Sequence, residues 1–192
     1  MRDYFVEIIA KCLATFISNK GQKRRFRDKV KTFFYGHRIL TKAKSIGKDF
    51  VCRDYSSITK DSVIIGDNVR IGSINHNGFG ELKIGNYCEI GENVRIITQN
   101  HNYDKGTQIP YSRDAILKGV EIGDFVWIGS EVVILPGTKI EEGAVIQGGA
   151  VVHGTIPRCA IAGGNPAKVF KYRDIEHYEK LKEEGAFLDY YD

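Results

Sequence analysis

The sequence predicts an all-β solenoid, a parallel β-helix built from hexapeptide repeats. Aliphatic residues recur at every sixth position along one long stretch: Ile122, Ile128, Ile134, Ile140, Ile146 and Val152. Small or β-branched residues recur four positions after each of these, at Val126, Val132, Thr138, Ala144 and Ala150. Neither an amphipathic helix nor a simple alternating strand gives this period. Hexapeptide repeats are a signature of the parallel β-helix.

Turn-forming residues separate the aliphatic segments of this stretch. They occur at Gly123-Asp124, Gly129-Ser130, Pro136-Gly137, Glu142-Gly143 and Gly148-Gly149. A short strand followed by a tight corner winds the chain into a coil whose inward residues stack on those of the next coil. Three hexapeptides make one triangular coil of about 18 residues. We therefore expect roughly five coils.

The repeat domain is predicted to span residues 46–172. Earlier hexapeptides begin at Ile46, Cys52, Ile58, Ile65, Ile71, Ile84, Ile90 and Ile96. The pattern is interrupted twice, which predicts loops at 74–82 and 100–119. Insertions in solenoids project from one face and commonly carry the binding residues, so these two loops are the candidate sites.

Residues 1–45 are predicted to form a helical, basic N-terminal cap. Apolar residues recur at three- and four-residue steps, as in an amphipathic helix. The basic segment that follows is expected to form either a second short helix or a solvated face that caps the first coil. The residues of the apolar stripe are Tyr4, Phe5, Ile8, Ile9, Cys12, Leu13, Phe16 and Ile17.

Residues 173–192 are predicted to form a C-terminal helix and tail. The hexapeptide pattern ends after Val152, and Asp174 to Glu184 reads as a helix that ends at Gly185. We expect this helix to cap the last coil and the final segment, FLDYYD, to be loosely held.

Composition and cysteine spacing indicate the type of protein and its cellular compartment. With 192 residues, 42% of them hydrophobic and 27% charged, the chain is typical of a soluble protein. Its 4 cysteines form no C-x-x-C pair, and no signal peptide or membrane-spanning segment is apparent. These features predict a cytoplasmic protein.

The net charge of +4 is unevenly distributed. The segment Lys20–Lys31 holds 7 Lys or Arg and 1 Asp. Beside an apolar helical stripe, such a belt favours peripheral contact of residues 1–45 with an anionic membrane, at the inner leaflet for a cytoplasmic protein. No nucleic-acid-binding module accompanies the basic belt, so we expect no nucleic-acid partner.

Three motifs at matching spacing resemble the left-handed β-helix acyltransferases, in particular the branch of galactoside, maltose and xenobiotic acetyltransferases. They are VEIGDFVWIGSEVVILPGTKIEEGAVI, the upstream NHNYD and the tail AIAGGNPAKVFKYR, and the resemblance covers about residues 65–173. It implies a left-handed coil, a homotrimer with the active site between neighbouring subunits, and acetyl-CoA as donor. A metal cofactor is not expected.

His101, in NHNYD, matches the catalytic histidine of the family. An acceptor hydroxyl must lose its proton as it attacks a thioester. An imidazole, whose unperturbed pKa is about 6.5, can accept that proton near neutral pH. No Ser or Cys is paired by motif with a base, so we expect direct transfer without an acyl-enzyme.

Acceptor contacts are predicted in the two loops. The first loop carries Asn75, His76 and Asn77, where the family supplies an asparagine and acceptor contacts. The second carries Tyr103 and Asp104 beside the catalytic histidine. A plain turn is the alternative interpretation of the first loop.

Donor contacts are predicted along the later coils. Ser130 and Gly148 align with family positions at the pantetheine arm, and Trp127 is expected either to contact the coenzyme or to pack in the trimer. Cations are expected near the coenzyme phosphates, and the family places Lys168 and Lys171 there. At His153 the chain departs from the family, which usually has Thr beside the coenzyme.

The resulting hypothesis is an acetyl-CoA-dependent O-acetyltransferase that acts on a sugar or a cell-envelope polysaccharide precursor. The alternative within the fold is an N-acetyltransferase of an amino sugar nucleotide. A γ-class carbonic anhydrase shares the coils, but His76, His101 and His153 lack the spacing of its zinc ligands. A non-catalytic scaffold is the remaining alternative.

Overall fold

A computed structural model of the chain describes the backbone of residues 2–188 and the side chains of residues 6–188. Its centre is a solenoid of parallel strands with three faces. The first face is ordered β1-β3-β6-β11-β14-β17. Its strands are Ser45–Ile46, Val63–Ile65, Leu82–Ile84, Val120–Ile122, Lys139–Ile140 and Thr155–Ile156.

The second face contains β2, β4, β7, β12, β15 and β18 in parallel, with β19 added antiparallel at its end. These strands are Val51–Cys52, Arg70–Ile71, Glu89–Ile90, Trp127–Ile128, Val145–Ile146, Ala160–Gly163 and Lys168–Tyr172. The third face contains β5, β8, β13 and β16. They are Ile74–Asn77, Val94–Ile97, Val133–Ile134 and Val151–Val152.

The parallel β-helix predicted from the sequence is confirmed, but it is longer than predicted. The first face has six strands, so the solenoid has about six coils instead of the expected five. The additional coil comes from the two ends, where the hexapeptide pattern is weak. The final coil begins at Thr155–Ile156, beyond the last regular repeat.

The core is the stack of residues that the six-residue period identifies. Ile122, Ile128, Ile134 and Ile140 are each at most 1% exposed. In each parallel pair they lie directly beside their equivalents one coil away, as Ile128 does between Ile90 and Ile146. Because successive side chains of a strand alternate in direction, the neighbouring positions such as Trp127 and Lys139 face outward.

The first insertion is shorter than the sequence suggests. Asn75–Asn77 belong to β5, which pairs in register with Arg95–Ile97 of β8. The departure from the coil therefore starts at Gly78, whose φ of 121° suits glycine. The second insertion contains a two-stranded antiparallel hairpin, β9 (Gln99–His101) and β10 (Ala115–Leu117).

The N-terminal segment is helical, as predicted. It comprises α1 (Arg2–Leu13), a 3₁₀ turn (Ala14–Phe16), α2 (Lys20–Tyr35) and α3 (His37–Lys42). Ile39 of α3 is fully buried in the core cluster and covers the end of the first coil. The helix α2 contacts the outside of the second face, where Thr32 accepts a hydrogen bond of 2.9 Å from the backbone N–H of Cys52.

A buried ion pair fastens α2 to the second face. Asp28 on α2 and Arg70 on β4 are 7% and 8% exposed, and their side chains approach to 3.3 Å. Removing one partner of a buried pair leaves an uncompensated charge. The pair therefore fixes where the helix lies on the solenoid.

At the other end lies α4 (Ile175–Glu183), whose N-cap is Asp174; the Asp174 side chain accepts a hydrogen bond from the backbone N–H of His177. This agrees with the helix predicted over 174–184. The end of the tail, at 189–192, lies outside the described residues. None of the helices in the described part of the chain combines the length and apolar character needed to span a bilayer.

The stacked core makes a direct prediction for stability. Ile140→Ala should lower the free energy of unfolding by about 2–5 kcal/mol, because the cavity cannot be filled by its neighbours above and below. The adjacent Lys139→Ala, on the outward side of the same strand, should change it by less than about 0.5 kcal/mol. Urea unfolding followed by circular dichroism measures both, and equal effects would contradict the stacked core.

Candidate active site

The hairpin β9–β10 carries His101 away from the solenoid. It leaves the third face after Thr98 and returns to the first face at Val120. The backbone N–H of Lys118 donates to the carbonyl of Thr98 at 3.0 Å and closes its base. We call this border between the third and first faces the histidine edge; it consists of 78–81, 98–119, 135–138 and 153–154.

His101 is exposed at the end of β9, opposite Ala115 of β10. Its ring stacks on that of Tyr111, with 3.8 Å between the ring centroids and 18° between the planes. Its backbone N–H donates to the side-chain oxygen of Asn100 at 2.9 Å. The ring is therefore held on one side by an aromatic neighbour and open to solvent on the other.

Side-chain hydrogen bonds tie the hairpin together around this ring pair. Asn102 donates to Asp114 at 2.8 Å and accepts from the backbone N–H of Lys105 at 3.1 Å. The backbone N–H of Ser112 donates to the carbonyl of Asn102 at 3.0 Å. Tyr111, next to Ser112, is thereby positioned over His101. Tyr103 and Asp104 are exposed on the same insertion.

Sequence reasoning missed Tyr111. The residue is ten positions from His101, and no periodicity or motif pairs them. The pairing results from the fold of the insertion between β9 and β10, which the sequence pattern identified as a loop without internal structure.

Asn77 lies at the base of this hairpin, and Asn75 precedes it by two residues on the same strand. Both are exposed on β5, and the backbone N–H of Thr98 donates to the carbonyl of Asn77 at 2.9 Å. The backbone N–H of Phe79 donates to the side chain of Gln99 at 3.2 Å, which joins the first insertion to the second. The structure thus joins the strand of the two predicted asparagines to the base of the hairpin that carries His101.

His76 points the other way, because it alternates with these asparagines along β5. It is 4% exposed, and its Nε2 lies 2.9 Å from Thr98 Oγ1. Its Nδ1 accepts from the backbone N–H of Thr59 at 3.5 Å, so the proton of a neutral ring is on Nε2 and is donated to Thr98. Burial lowers the pKa of His76 to about 4. The ring is a neutral interior group apart from the exposed residues.

Ser130 and Gly148 lie on a different border, between the second and third faces. The backbone N–H of Gly149 donates to the carbonyl of Ser130 at 2.9 Å, so the two corners are stacked. Ser130 Oγ accepts from the backbone N–H of Glu92 at 3.1 Å, which leaves its own proton free to be donated. We call this border the serine edge.

Trp127 is 56% exposed on the second face beside the serine edge. A hollow of about 310 Å³ lies between Trp127 and Ser130. Its lining also includes Arg53, Arg70, Glu89 and Glu92. An apolar ring beside polar and charged groups suits a ligand with both characters.

Lys168 and Lys171 are both exposed on β19. The register between β18 and β19 shifts between Ile161 and Ala162, so β19 carries one additional residue there. Such a bulge changes the side-chain alternation and allows two lysines at an odd spacing to share a side. The turn before them is fixed to the third face, since Ala167 N–H donates to the carbonyl of Val151 at 2.8 Å.

His153 is exposed, and it follows β16 on the histidine edge. It therefore does not lie with Ser130 and Gly148. The third face separates the two edges. Its strand Val94–Ile97 is four residues long, or about 13 Å at 3.3 Å per residue. Within one chain, His101 and the predicted donor residues Ser130 and Gly148 are on opposite sides of this face, whereas His153 is on the same edge as His101.

No thiol is prepared as a nucleophile at either edge. Cys52, Cys88 and Cys159 are fully buried, and burial raises the pKa of Cys52 to about 11 and that of Cys88 to about 12. Among the described residues, no cluster of three or more His, Cys, Asp or Glu is arranged to hold a metal ion.

Comparison with known proteins identifies the family. The model for bacterial transferase hexapeptides (six repeats) matches residues 119–154. A Saccharomyces cerevisiae protein described as an acetyltransferase, YJL218W, is 33% identical over 166 residues, which cover 77% of this chain and 82% of the yeast protein. The chain belongs to the hexapeptide-repeat acetyltransferase family. The resemblance inferred from the sequence motifs is thereby confirmed.

Other acetyltransferases match over shorter stretches. WbbJ of Escherichia coli K12, described as a lipopolysaccharide biosynthesis O-acetyltransferase, is 40% identical over 76 residues, 40% of this chain and 38% of WbbJ. A chloramphenicol acetyltransferase of Escherichia coli is 36% identical over 126 residues, 57% of this chain and 60% of that protein. Across YvoF of Bacillus subtilis and two chloramphenicol acetyltransferases, the chain spans 36–60% of the relative's length.

Solved structures share the fold. A Vibrio cholerae hexapeptide-repeat acetyltransferase complexed with acetyl-CoA has a TM-score of 0.60 at 19% identity, over 89% of this chain and 87% of that one. Galactoside acetyltransferase with coenzyme A has 0.59 at 21%, over 91% and 84%. AntD, a Bacillus cereus N-acyltransferase with dTDP and 3-hydroxybutyryl-CoA, has 0.61 at 20%, over 74% and 79%. The fold is the left-handed parallel β-helix predicted from the sequence.

The buried state of His76 predicts a pH dependence of stability. Its pKa is about 4 in the folded chain and about 6.5 when unfolded. Between these values the unfolded chain binds a proton that the folded chain does not. The free energy of unfolding should therefore fall as the pH falls from about 6.5 to 4, by up to about 1.4 kcal/mol per pH unit.

Urea unfolding at a series of pH values measures this contribution. His76→Asn should flatten the slope in that window, whereas His177→Asn, on the exposed side of α4, should leave it unchanged. The same slope in wild type and His76→Asn would mean that other groups cause the acid sensitivity.

Proposed function

We propose that this protein is an acetyl-CoA-dependent O-acetyltransferase that acts on a sugar or a cell-envelope polysaccharide precursor. One observation carries the proposal: a member of the hexapeptide-repeat acetyltransferase family presents an exposed, aromatic-stacked histidine, His101, on a hairpin whose base is hydrogen-bonded to the strand of two exposed asparagines. The histidine suits proton removal from a hydroxyl, and the amides suit hydrogen bonding to a polyhydroxylated acceptor.

His101 acts as the general base. Its free ring nitrogen accepts the proton of the acceptor hydroxyl while that oxygen attacks the carbonyl carbon of the acetyl thioester. The tetrahedral intermediate collapses, the C–S bond breaks, and the leaving thiolate of coenzyme A takes up the proton from the imidazolium. Backbone N–H groups at the corner Gly129-Ser130 are candidates for stabilising the oxyanion.

The donor is held along the serine edge. Trp127 and the corners at Ser130 and Gly148 contact the pantetheine arm, and the Ser130 hydroxyl donates to one of its amide carbonyls. Lys168 and Lys171 face the phosphates, because cations form strong charge-assisted hydrogen bonds to them. His153 contacts the coenzyme from the histidine edge.

The acceptor is held by Asn75 and Asn77 together with Tyr103 and Asp104. We leave His76 out of this set, because its buried ring is already hydrogen-bonded to Thr98. The similarity to WbbJ supports a sugar of the cell envelope as acceptor. The similarity of fold to AntD keeps an alternative open, N-acetylation of an amino sugar nucleotide.

The separation of the two edges favours a homotrimer. One chain holds the base on the histidine edge and the donor residues on the serine edge, so a second copy is needed to bring the two groups together. Closed cyclic assemblies join different surface patches of neighbouring copies. Each of three sites would then combine His101 of one chain with Ser130 and Gly148 of the next.

We place this reaction in the cytoplasm, near the inner leaflet of the membrane. Acetyl-CoA is available there, and sugars linked to nucleotides or lipids would be within reach. A chain that acts on such precursors meets them more often when it lies near the membrane that carries them.

His101→Ala should reduce kcat at least about a hundredfold, since it removes the general base. The KM for acetyl-CoA should change little, because most of the proposed donor contacts lie on the serine edge. Steady-state assays of thiol release measure both constants. His177→Ala serves as the control, and turnover that survives in His101→Ala would exclude the base role.

Tyr111→Leu should lower kcat roughly two- to tenfold, the factor expected for losing an aromatic ring pair worth about 0.5–1.5 kcal/mol. Tyr111→Phe keeps the stacking and should retain the wild-type kcat. A loss in the Phe variant as large as in the Leu variant would mean that the hydroxyl, not the ring, is required.

The substrate class is tested by incubating the protein and labelled acetyl-CoA with free sugars, oligosaccharides, sugar nucleotides and serine. Mass spectrometry then locates the acetylated product. An O-acetylated carbohydrate is the expected result. Acetylation of an amine-bearing sugar nucleotide alone would favour the alternative, and acetylation of serine alone would contradict the carbohydrate assignment.

A further inference from the structure

The helix α1 and the 3₁₀ turn after it have apolar side chains on two opposite sides. Val6, Ala10 and Ala14 form the inner side and are at most 2% exposed. Ile8, Cys12 and Phe16 recur at the same four-residue spacing half a turn away and are exposed. A soluble helix normally has one apolar stripe. The outer side is therefore a second apolar stripe, in addition to the one that packs against the protein.

The outer stripe contains large apolar groups. Phe16 is 95% exposed, Leu13 beside it is 55% exposed and Ile8 is 39% exposed. Phe33 of α2 and Leu40 of α3 are also exposed, at 63% and 44%. Single exposed apolar residues are ordinary. A periodic run on one short helix, in a segment with further exposed apolar groups, indicates a contact surface.

The charge of the same segment is strongly positive. Residues 1–45 hold 12 Lys or Arg and 3 Asp or Glu, whereas the other 147 residues hold 16 and 21. Two of the three acids are neutralised within the protein. Glu7 pairs with Lys31 at 2.8 Å and with Arg27, and Asp28 pairs with Arg70 at 3.3 Å.

Lysines beside the outer stripe have no such partner. Lys20, four residues after Phe16, and Lys23, one turn later, make no ion pair within residues 6–188. Both lie in the first turns of α2, next to the 3₁₀ turn that presents Phe16. Free cations therefore border the exposed apolar side chains.

We propose that the outer stripe of α1, with Lys20 and Lys23, docks the protein on an anionic lipid surface. A helix with large apolar groups on its outer side and neighbouring Lys lies in the plane of the membrane interface, where anionic headgroups attract the cations. The ion pair Asp28–Arg70 holds α2, on which α1 packs, against the second face, so the solenoid is carried to the surface as one body.

A second copy of the chain is the rival occupant. Two such surfaces facing each other would bring like charges together, which is unfavourable. The stripe also provides about four side chains, whereas stable protein interfaces use about 20–30 residues a side. Both features favour lipid.

The test is co-sedimentation of the full chain with vesicles of phosphatidylcholine alone or of phosphatidylcholine with phosphatidylglycerol. The wild type should bind the anionic vesicles and not the neutral ones, and binding should weaken with salt. Leu13→Ser with Phe16→Ser should bind at least about tenfold more weakly. Phe170→Ser, which removes another exposed aromatic on β19, should bind like the wild type.

Charge is tested by a second matched pair. Lys20→Glu with Lys23→Glu should weaken binding about tenfold or more. Lys60→Glu with Lys180→Glu makes the same change in net charge on exposed residues elsewhere and should have a much smaller effect. Circular dichroism checks that each variant is folded.

The proposal fails if the wild type binds neither vesicle or binds both equally, or if the matched variants lose binding equally. It also fails if Leu13→Ser with Phe16→Ser lowers the oligomeric mass by light scattering, because the stripe would then be a contact between chains. The vesicle test is independent of acetyl transfer, so its failure leaves the proposed activity untouched.

Discussion

The structure depends on the vertical stacking of inward aliphatic side chains, one on the next, along the solenoid. A buried isoleucine inside the stack lies beside its equivalents in the coils before and after it, as Ile128 lies between Ile90 and Ile146. A repeat cannot bury its apolar residues alone, so every coil is stable only with its neighbours. This constraint fixes the inward positions and leaves the outward positions and the corners free to carry function.

The same constraint decides where the chain can insert new structure. An insertion within a strand would break the stack, whereas one at a corner leaves the strands on either side in register. The hairpin that carries His101 leaves at a corner, and Lys118 returns to hydrogen-bond with Thr98 at its base. The serine edge carries no such insertion, and Ser130 and Gly148 remain at regular corners. The regular coil thus sets His101 and the corners at Ser130 and Gly148 on separate edges.

The periodic part of the fold was predictable from the sequence, because the spacing of the aliphatic residues alone shows which side chains face the inside of the solenoid. The same spacing marked His101 as lying outside the regular coil, but it also placed Asn75 and Asn77 in a loop, although they belong to β5. It could not show that His76 turns inward, because the strand pairing of Asn75–Asn77 was hidden by the apparent interruption. Nor could it pair Tyr111 with His101. For α1 the sequence predicted one apolar stripe of large residues, whereas α1 packs through the small side chains of Ala10 and Ala14 and leaves Phe16 exposed.

The central claim is that a complete site combines the histidine edge of one chain with the serine edge of another. Subunit mixing tests it most directly. His101→Ala and a Lys168→Glu, Lys171→Glu variant, each inactive alone, are unfolded, mixed in equal amounts and refolded together, and mixed trimers are verified by native mass spectrometry. In randomly assembled trimers, about one interface in four places the intact His101 of one variant beside the intact lysines of the other. About a quarter of the wild-type activity should therefore return. Mixed trimers without activity would contradict the account, because they would mean that each chain forms its site alone.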